Sequence, residues 1–200
     1  MRTLLTVVLA LTLVSGSLAQ SKEQREAAKD CPLVLRVTAE TGDSKSTKSG
    51  KGGGSKATSV KTMEKRMKWQ AVVSSSNPSF AEKVELKAFY VGSHDGDVEI
   101  LGKDTHPVEF TDGKCVVDLV SPTAKLVKKT IRKGGGGGRR RGGNVQTKTE
   151  TSGDRINGLV LQLCVNGIAV KTFASKPNWA KAAWDPAFSE ESLLPPNARR

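Results

Sequence analysis

The chain has 200 residues, a formal charge of +12, 36% hydrophobic residues and 4% aromatic ones. That length holds one domain with a real core and tails rather than several domains. The charge excludes a cationic partner and selects polyanions.

Met1–Ala19 has the layout of a secretory leader: Arg2 at the start, an apolar run from Leu4 to Val14, and Ser17-Leu18-Ala19 as the small-residue cleavage site before Gln20. The run falls short of the roughly 20 apolar residues that span a bilayer, so no transmembrane segment is expected in the mature chain. No cysteine follows it to take a lipid. The expected location is the periplasm or the extracellular space. The polyanions met there are lipopolysaccharide phosphates, teichoic acids, acidic polysaccharides, anionic lipid surfaces and shed DNA, and the expected contact is with polysaccharide, lipopolysaccharide or anionic lipid.

Gln20–Asp30 reads as a charged leader, and a β-sandwich domain is expected over 31–185. From Cys31 the hydrophobic pattern has period two, the mark of half-buried strands. Leu33, Leu35 and Val37 alternate with polar neighbours. Met67, Trp69, Ala71 and Val73 do the same, followed by Val84, Leu86, Ala88 and Tyr90. Asp95-Gly96 turns the chain into Val98–Phe110, and Asp112-Gly113 turns it into Lys114–Val120, which Ser121-Pro122 ends. Ile156–Val165 and Ile168–Ala174 form a hairpin around Asn166-Gly167, a pair suited to a two-residue turn with positive φ at both positions. Pro177–Trp184 reads as a helical turn or an irregular cap, and Pro186–Arg200 as a disordered tail.

The expected fold is all-β: a single antiparallel sandwich of seven strands if Val98–Phe110 is one bent strand, or eight if Lys103–Pro107 turns. The pattern over Leu33–Trp184 resembles small exported bacterial proteins that pair a leader with one β-sandwich. The resemblance is immunoglobulin-like or fibronectin-like in architecture only: no Cys-Trp-Cys framework and no tyrosine ahead of Cys164 occur. It transfers no functional residue. Cys31 and Cys115 run in phase with inward residues, whereas Cys164 shares its face with Gln162. One disulfide and one thiol, or three thiols, fit the three cysteines.

Two basic glycine-rich segments interrupt the alternation. The first spans 42–59 and carries Lys45, Lys48, Lys51 and Lys56 against Asp43; the second, KGGGGGRRRGG, runs from Lys133 through Arg139, Arg140 and Arg141 to Gly143. Their flanks are polar but β-prone: Ser59-Val60-Lys61-Thr62 on one side, Asn144-Val145-Gln146-Thr147 on the other. Lys125, Lys128, Lys129, Arg132 and Lys148 add charge. The expected picture is two long hairpin ribbons with glycine loops at their tips. In a seven-strand sandwich the loops after strands one and five share a pole and form one positive crown; in an eight-strand sandwich they point apart.

Those lysines and arginines are the candidate polyanion-binding residues, acting as point charges and as bidentate phosphate or sulfate donors. Neither segment interleaves aromatics for base stacking, and neither leads into a Gly-Lys-Ser/Thr helix start. Trp179 and Trp184 are candidate sugar-stacking residues, or else fold back over the core. His94, Asp95, Asp97 and His106 lack metal-ligand spacing, so no metal or other cofactor is expected. No nucleophile motif or carboxylate pair marks a catalytic site. The expectation is a non-enzymatic exported module that binds an anionic polymer or surface. Its alternatives are a protein-interaction or envelope-assembly module whose loops only solubilise, and, third, a carbohydrate-acting enzyme.

Overall fold

A computed structural model of the protein describes residues 26–40, 42–51, 56–77, 80, 82–133, 146–183 and 189–195. The secretory leader expected over 1–19, the three arginines Arg139, Arg140 and Arg141, Trp184 and most of the expected tail lie outside those residues.

The chain is an all-β sandwich, with ten strands among the described residues: β1 (Leu33–Glu40), β2 (Ser44–Lys51), β3 (Lys56–Lys65), β4 (Lys68–Ser75), β5 (Val84–His94), β6 (Asp97–Pro107), β7 (Lys114–Val120), β8 (Ala124–Lys133), β9 (Gln146–Val165) and β10 (Ile168–Ala174). Val98–Phe110 contributes one strand, β6, with no turn at Lys103. The count exceeds seven because the flanks of the two glycine segments are themselves strands: β2, β3, β8 and the first part of β9. β1, β4 and β7 form a three-stranded sheet, and the other seven strands form a second sheet ordered β2-β3-β8-β9-β5-β6, with β10 also paired to β9. All pairings are antiparallel.

The small sheet lies over one face of β5, β9 and β10. Its inward residues Leu33, Trp69, Ala71, Val73, Val117 and Leu119 meet Leu86, Ala88, Tyr90, Leu159, Leu161 and Leu163 from the larger sheet. Its outer face meets solvent, which is why β4 and β7 keep clean alternation. A second apolar cluster sits on the far face of the larger sheet. There Phe89, Val91 and Val160 are covered by Trp179 and Ala183 of α1 (Pro177–Ala183) and by Leu193 of a 3-10 turn, Glu190–Leu193. Residues 158–165 of β9 are therefore buried without a break. Part of the tail expected to be disordered thus has a packing role, since Leu193 is buried and Lys103 Nζ pairs with Glu190 at 2.8 Å.

Three X-Gly pairs make the tight turns. Asp95, Asp112 and Asn166 have φ near +50°, and the glycine after each is also positive. Among the described residues all three cysteines are free thiols. Register aligns Leu35, Val73 and Cys115 in one row. Cys31 is four residues upstream of Leu35 with β4 intervening, beyond disulfide reach. Cys164 points toward the helix side with Gln162, whose Nε2 donates to the Ala183 carbonyl. Burial pushes the Cys164 thiol pKa up, as suits a packed group rather than a nucleophile.

At Gly153 β9 passes from β8 to β5: Gly153 pairs with Leu126, and Asp154 with His94. Gly153 has φ +103°, and a Cβ there would collide with the Lys125 carbonyl oxygen. Gly153→Ala is expected to lower unfolding stability by about 2 kcal/mol or more, through strain and the clash together. Gly50→Ala, at a site with room for a Cβ, should change it by less than about 0.5 kcal/mol. Urea unfolding midpoints of the two variants test the contrast.

Candidate functional site

Polar strands form here because they complete one another's ladders. β2 pairs with β3 from Ser44↔Lys65 to Lys51↔Thr58, β3 pairs with β8 over ten positions, and β8 pairs with residues 146–153 of β9. The result is a four-stranded blade that at about 3.3 Å per residue is roughly 30 Å long. Its sides meet solvent: β2 is exposed at every described side chain, and Thr147–Ser152 is exposed throughout.

The register settles where the two glycine segments leave the blade. Lys56 pairs with Lys133, and Lys133 with Gln146, so the 51–56 and 133–146 connections depart from the same end. The crown geometry expected from a seven-strand sandwich is therefore met at its base, by a different route. The ribbons are neighbours through the β3–β8 ladder rather than separate loops at one pole.

Side chains directly opposite one another on adjacent strands share a face. One face carries Lys48, Lys61 and Lys128 in a single row that ends at Thr151. Lys65 and Arg132 lie on the same face, and none of the residues that face takes from the four strands is acidic. The other face sets two acids among its lysines and is partly compensated. Lys45 and Lys125 flank Glu64 in one row, Glu150 stands opposite Lys129, and Lys148 Nζ reaches Glu150 Oε1 at 2.8 Å. The Lys148 ammonium, hydrogen-bonded to Glu150, holds that carboxyl below its usual pKa.

Of the residues singled out from sequence, Lys48 falls on the acid-free face and Lys45 on the compensated one. Lys51, Lys56 and Lys133 mark the tip by their backbone positions. Lys61 and Lys128 were legible only as flanks, since their alignment with Lys48 depends on which ribbons pair. Trp179 is a correction to the sugar-stacking reading: its ring is 4% exposed, packed on β9 beneath the Lys176 ammonium, 4.6 Å from the ring centroid. It covers the outer face of the larger sheet and offers no platform.

The blade is anchored at its root. Lys68 pairs with Asp43 at 3.1 Å, Arg66 Nε donates to Thr123 Oγ1 at 2.6 Å, and Met67 N donates to Ser121 Oγ at 2.9 Å. An open polar cleft of about 380 Å³ lies there, lined by Asp43, Lys45, Glu64, Lys65 and Arg66 among others. On the β9 side the Asp95-Gly96 turn grips the bend: Asp95 Oδ1 accepts the Gly153 N–H, and the Asp95 N–H donates to the Gly153 carbonyl at 3.2 Å.

His94 completes that joint. Its Nδ1 is 2.6 Å from Asp154 Oδ1, and its Nε2 is 3.6 Å from Asp95 Oδ2. With Glu99, the trio His94, Glu99 and Asp154 offers three ligand atoms within 4.8 Å of one another, with His94 and Glu99 exposed. The grouping weighed from sequence does not assemble in that form. His106 stands opposite Leu86 at the other end of β6, and Glu99 and Asp154 approach His94 instead. Among the described residues no helix is long and apolar enough to cross a membrane. No protein-family model, curated protein or solved structure matches the chain.

The Asp154 hydrogen bond, reinforced by the charge of Asp95, raises the His94 pKa above its ordinary 6.5. The protonated imidazole is the form the fold prefers. Its contribution to stability is present below about pH 6.5 and is lost as pH rises through the folded-state value. The urea midpoint is expected to fall across that interval in the wild type and to flatten in Asp154→Asn. An NMR titration of His94 supplies its folded pKa for the comparison.

Proposed function

We propose that the protein is an exported, non-enzymatic module that binds an anionic polymer or surface through the blade and its two glycine segments. The observation that carries this reading is the β3–β8 ladder, which merges two basic segments distant in sequence into one unit. Residues 41–65 and 124–153 hold fifteen Lys and Arg against three acids, Asp43, Glu64 and Glu150. That difference of +12 equals the formal charge of the whole chain, so the remainder is neutral. A molecule charged at one end orients and accumulates at a polyanion. Arg139, Arg140 and Arg141 supply bidentate donors for phosphate or sulfate, and Lys51, Lys56 and Lys133 add point charges at the tip. Leader removal before Gln20 would deliver the chain to a compartment where acidic polysaccharide, lipopolysaccharide and anionic lipid are the available polyanions.

A protein-interaction role has one observation in its favour. On the outer face of the small sheet Val34, Val116 and Val120 are 47%, 57% and 42% exposed, and among the described residues no further strand pairs with β1 or β7. Three separate valines make a small patch, so this reading ranks second.

Binding of residues 20–200 to heparin-type polysaccharide, lipopolysaccharide, anionic vesicles and DNA, at low and physiological salt, tests the proposal. The expected result is salt-sensitive binding that falls at least about tenfold when Arg139, Arg140 and Arg141 become Ser, with the salt slope reduced by about 3. Absence of binding to every polyanion at low salt would overturn it. Separately, the secreted product should begin at Gln20 by N-terminal sequencing. A chain retained in the cytoplasm with Met1 intact would remove the export part of the proposal.

A further inference from the structure

The acid-free face of the blade carries a cost that its other face relieves in the rows that hold Glu64 and Glu150. Like charges directly opposite on adjacent strands destabilise a sheet, and Lys48, Lys61 and Lys128 stand three abreast. Solubility does not require this. Interleaved acids, as at Lys45–Glu64–Lys125 behind it, solubilise equally well without the repulsion. Among the described residues neither Lys48, Lys61 nor Lys128 has an acidic partner.

We propose that this face is a binding platform for an acidic polysaccharide whose chain lies across the strands, along the lysine row. This deepens the polyanion reading and rests on it. Strands about 4.8 Å apart place three ammonium groups on flexible stems along a line that successive anionic groups of a glycan can follow. The neighbouring row toward the tip, Gly50–Ser59–Thr130–Thr149, presents hydroxyls, and the lysine row itself ends on the hydroxyl of Thr151. Two residues of strand separate the rows, about 6.7 Å, so a sugar ring whose anionic groups meet the lysines brings its own hydroxyls over Ser59, Thr130 and Thr149. Arg132 lies beyond them on the same face and adds a planar donor for sulfate or carboxylate.

The composition of the face argues against the other polyanions. It has no aromatic side chain on which bases could stack. Its two large apolar side chains, Met63 and Leu126, sit together in the row on the root side of the lysines and are half-buried, so they give no apolar ridge to enter a lipid surface. A flat platform bearing hydroxyls and cations suits a flat ligand bearing hydroxyls and anions.

The test compares two triple variants of the chain over 20–200 with equal change in charge: Lys48→Gln/Lys61→Gln/Lys128→Gln on the acid-free face and Lys45→Gln/Lys125→Gln/Lys129→Gln on the compensated one. The probe is a fluorescent sulfated heparin-type oligosaccharide, followed by anisotropy at low and physiological salt. Neutral dextran, single-stranded DNA and anionic phosphatidylglycerol vesicles run beside it. The first triple is expected to weaken oligosaccharide binding by at least about tenfold and the second by less than about threefold. Urea unfolding should show the first triple at least as stable as wild type, because it removes the cross-strand repulsion; loss of binding is then not loss of fold.

Equal losses in both triples would overturn the platform and leave the general polyanion reading standing. Wild-type binding unmoved by either triple would also overturn it and leave contact to the tip. Tighter binding of DNA or vesicles than of the oligosaccharide, with the same face dependence, would overturn the ligand class. Failure of the wild type to bind any polyanion would defeat the parent reading itself.

Discussion

Strand β9 has to be a core strand and an exposed ribbon within twenty residues, and most of the molecule hangs on that requirement. Its second half pairs with β5 and β10 and is buried on both sides, by the small sheet on one and by α1 with the 3-10 turn on the other. Its first half has solvent on either side and is held only by the β8 ladder. Strand pairing passes from β8 at Gly153 to β5 at Asp154 without a gap, with a register shift only further in, between Ile156 and Gly158, which is how a blade of serine, threonine and lysine stays in a defined direction from the body. A polar sheet with no apolar face cannot hold itself by burial. It borrows its position from the buried half of the same strand.

The bend between the halves is over-determined. Gly153 takes a backbone conformation that L side chains rarely adopt, and both its N–H and its carbonyl are bonded to Asp95. Asp95 owes its place to the Asp95-Gly96 turn, and Asp154 next to the bend holds His94. The joint therefore couples a charged, solvent-washed ribbon to the buried sheet through a few hydrogen bonds. An imidazole that prefers its proton sits at its centre.

Charge and burial are separated in space more sharply than along the chain. Lys83 with Glu85 and Lys103 with Glu190 show the body balancing its own charges locally. The blade sets acids among its lysines on one face only, at Glu64 and Glu150. Backbone pairing creates that difference: a one-residue slip in the β3–β8 register would place Lys61 opposite Lys129 or Val127 and redistribute every cation between the faces. The three-lysine row is thus a property of register, made by the β2–β3 hairpin and a strand, β8, distant from it in sequence.

The sequence by itself determined the all-β class, the phase of the core strands and the three X-Gly turns, because each rests on contacts between near neighbours or on the φ preferences of single residues. Trp69, Ala71 and Val73 announce their buried face by alternation, and Asn166-Gly167 announces its hairpin. It also marked the two glycine segments and their cations, since composition needs no partner to be read. Only the tertiary structure decided that the two ribbons join through β3 and β8, that Trp179 and Leu193 cover a second face of the sheet, and that Glu99 and Asp154 rather than His106 approach His94. The physical reason is common to all three. A polar strand with solvent on both sides has no burial pattern to display, and a strand covered on both sides has lost the alternation that would reveal its cover. Pairing between β3 and β8 is a choice among backbone partners 59 to 77 residues apart, and nothing local in either strand encodes it.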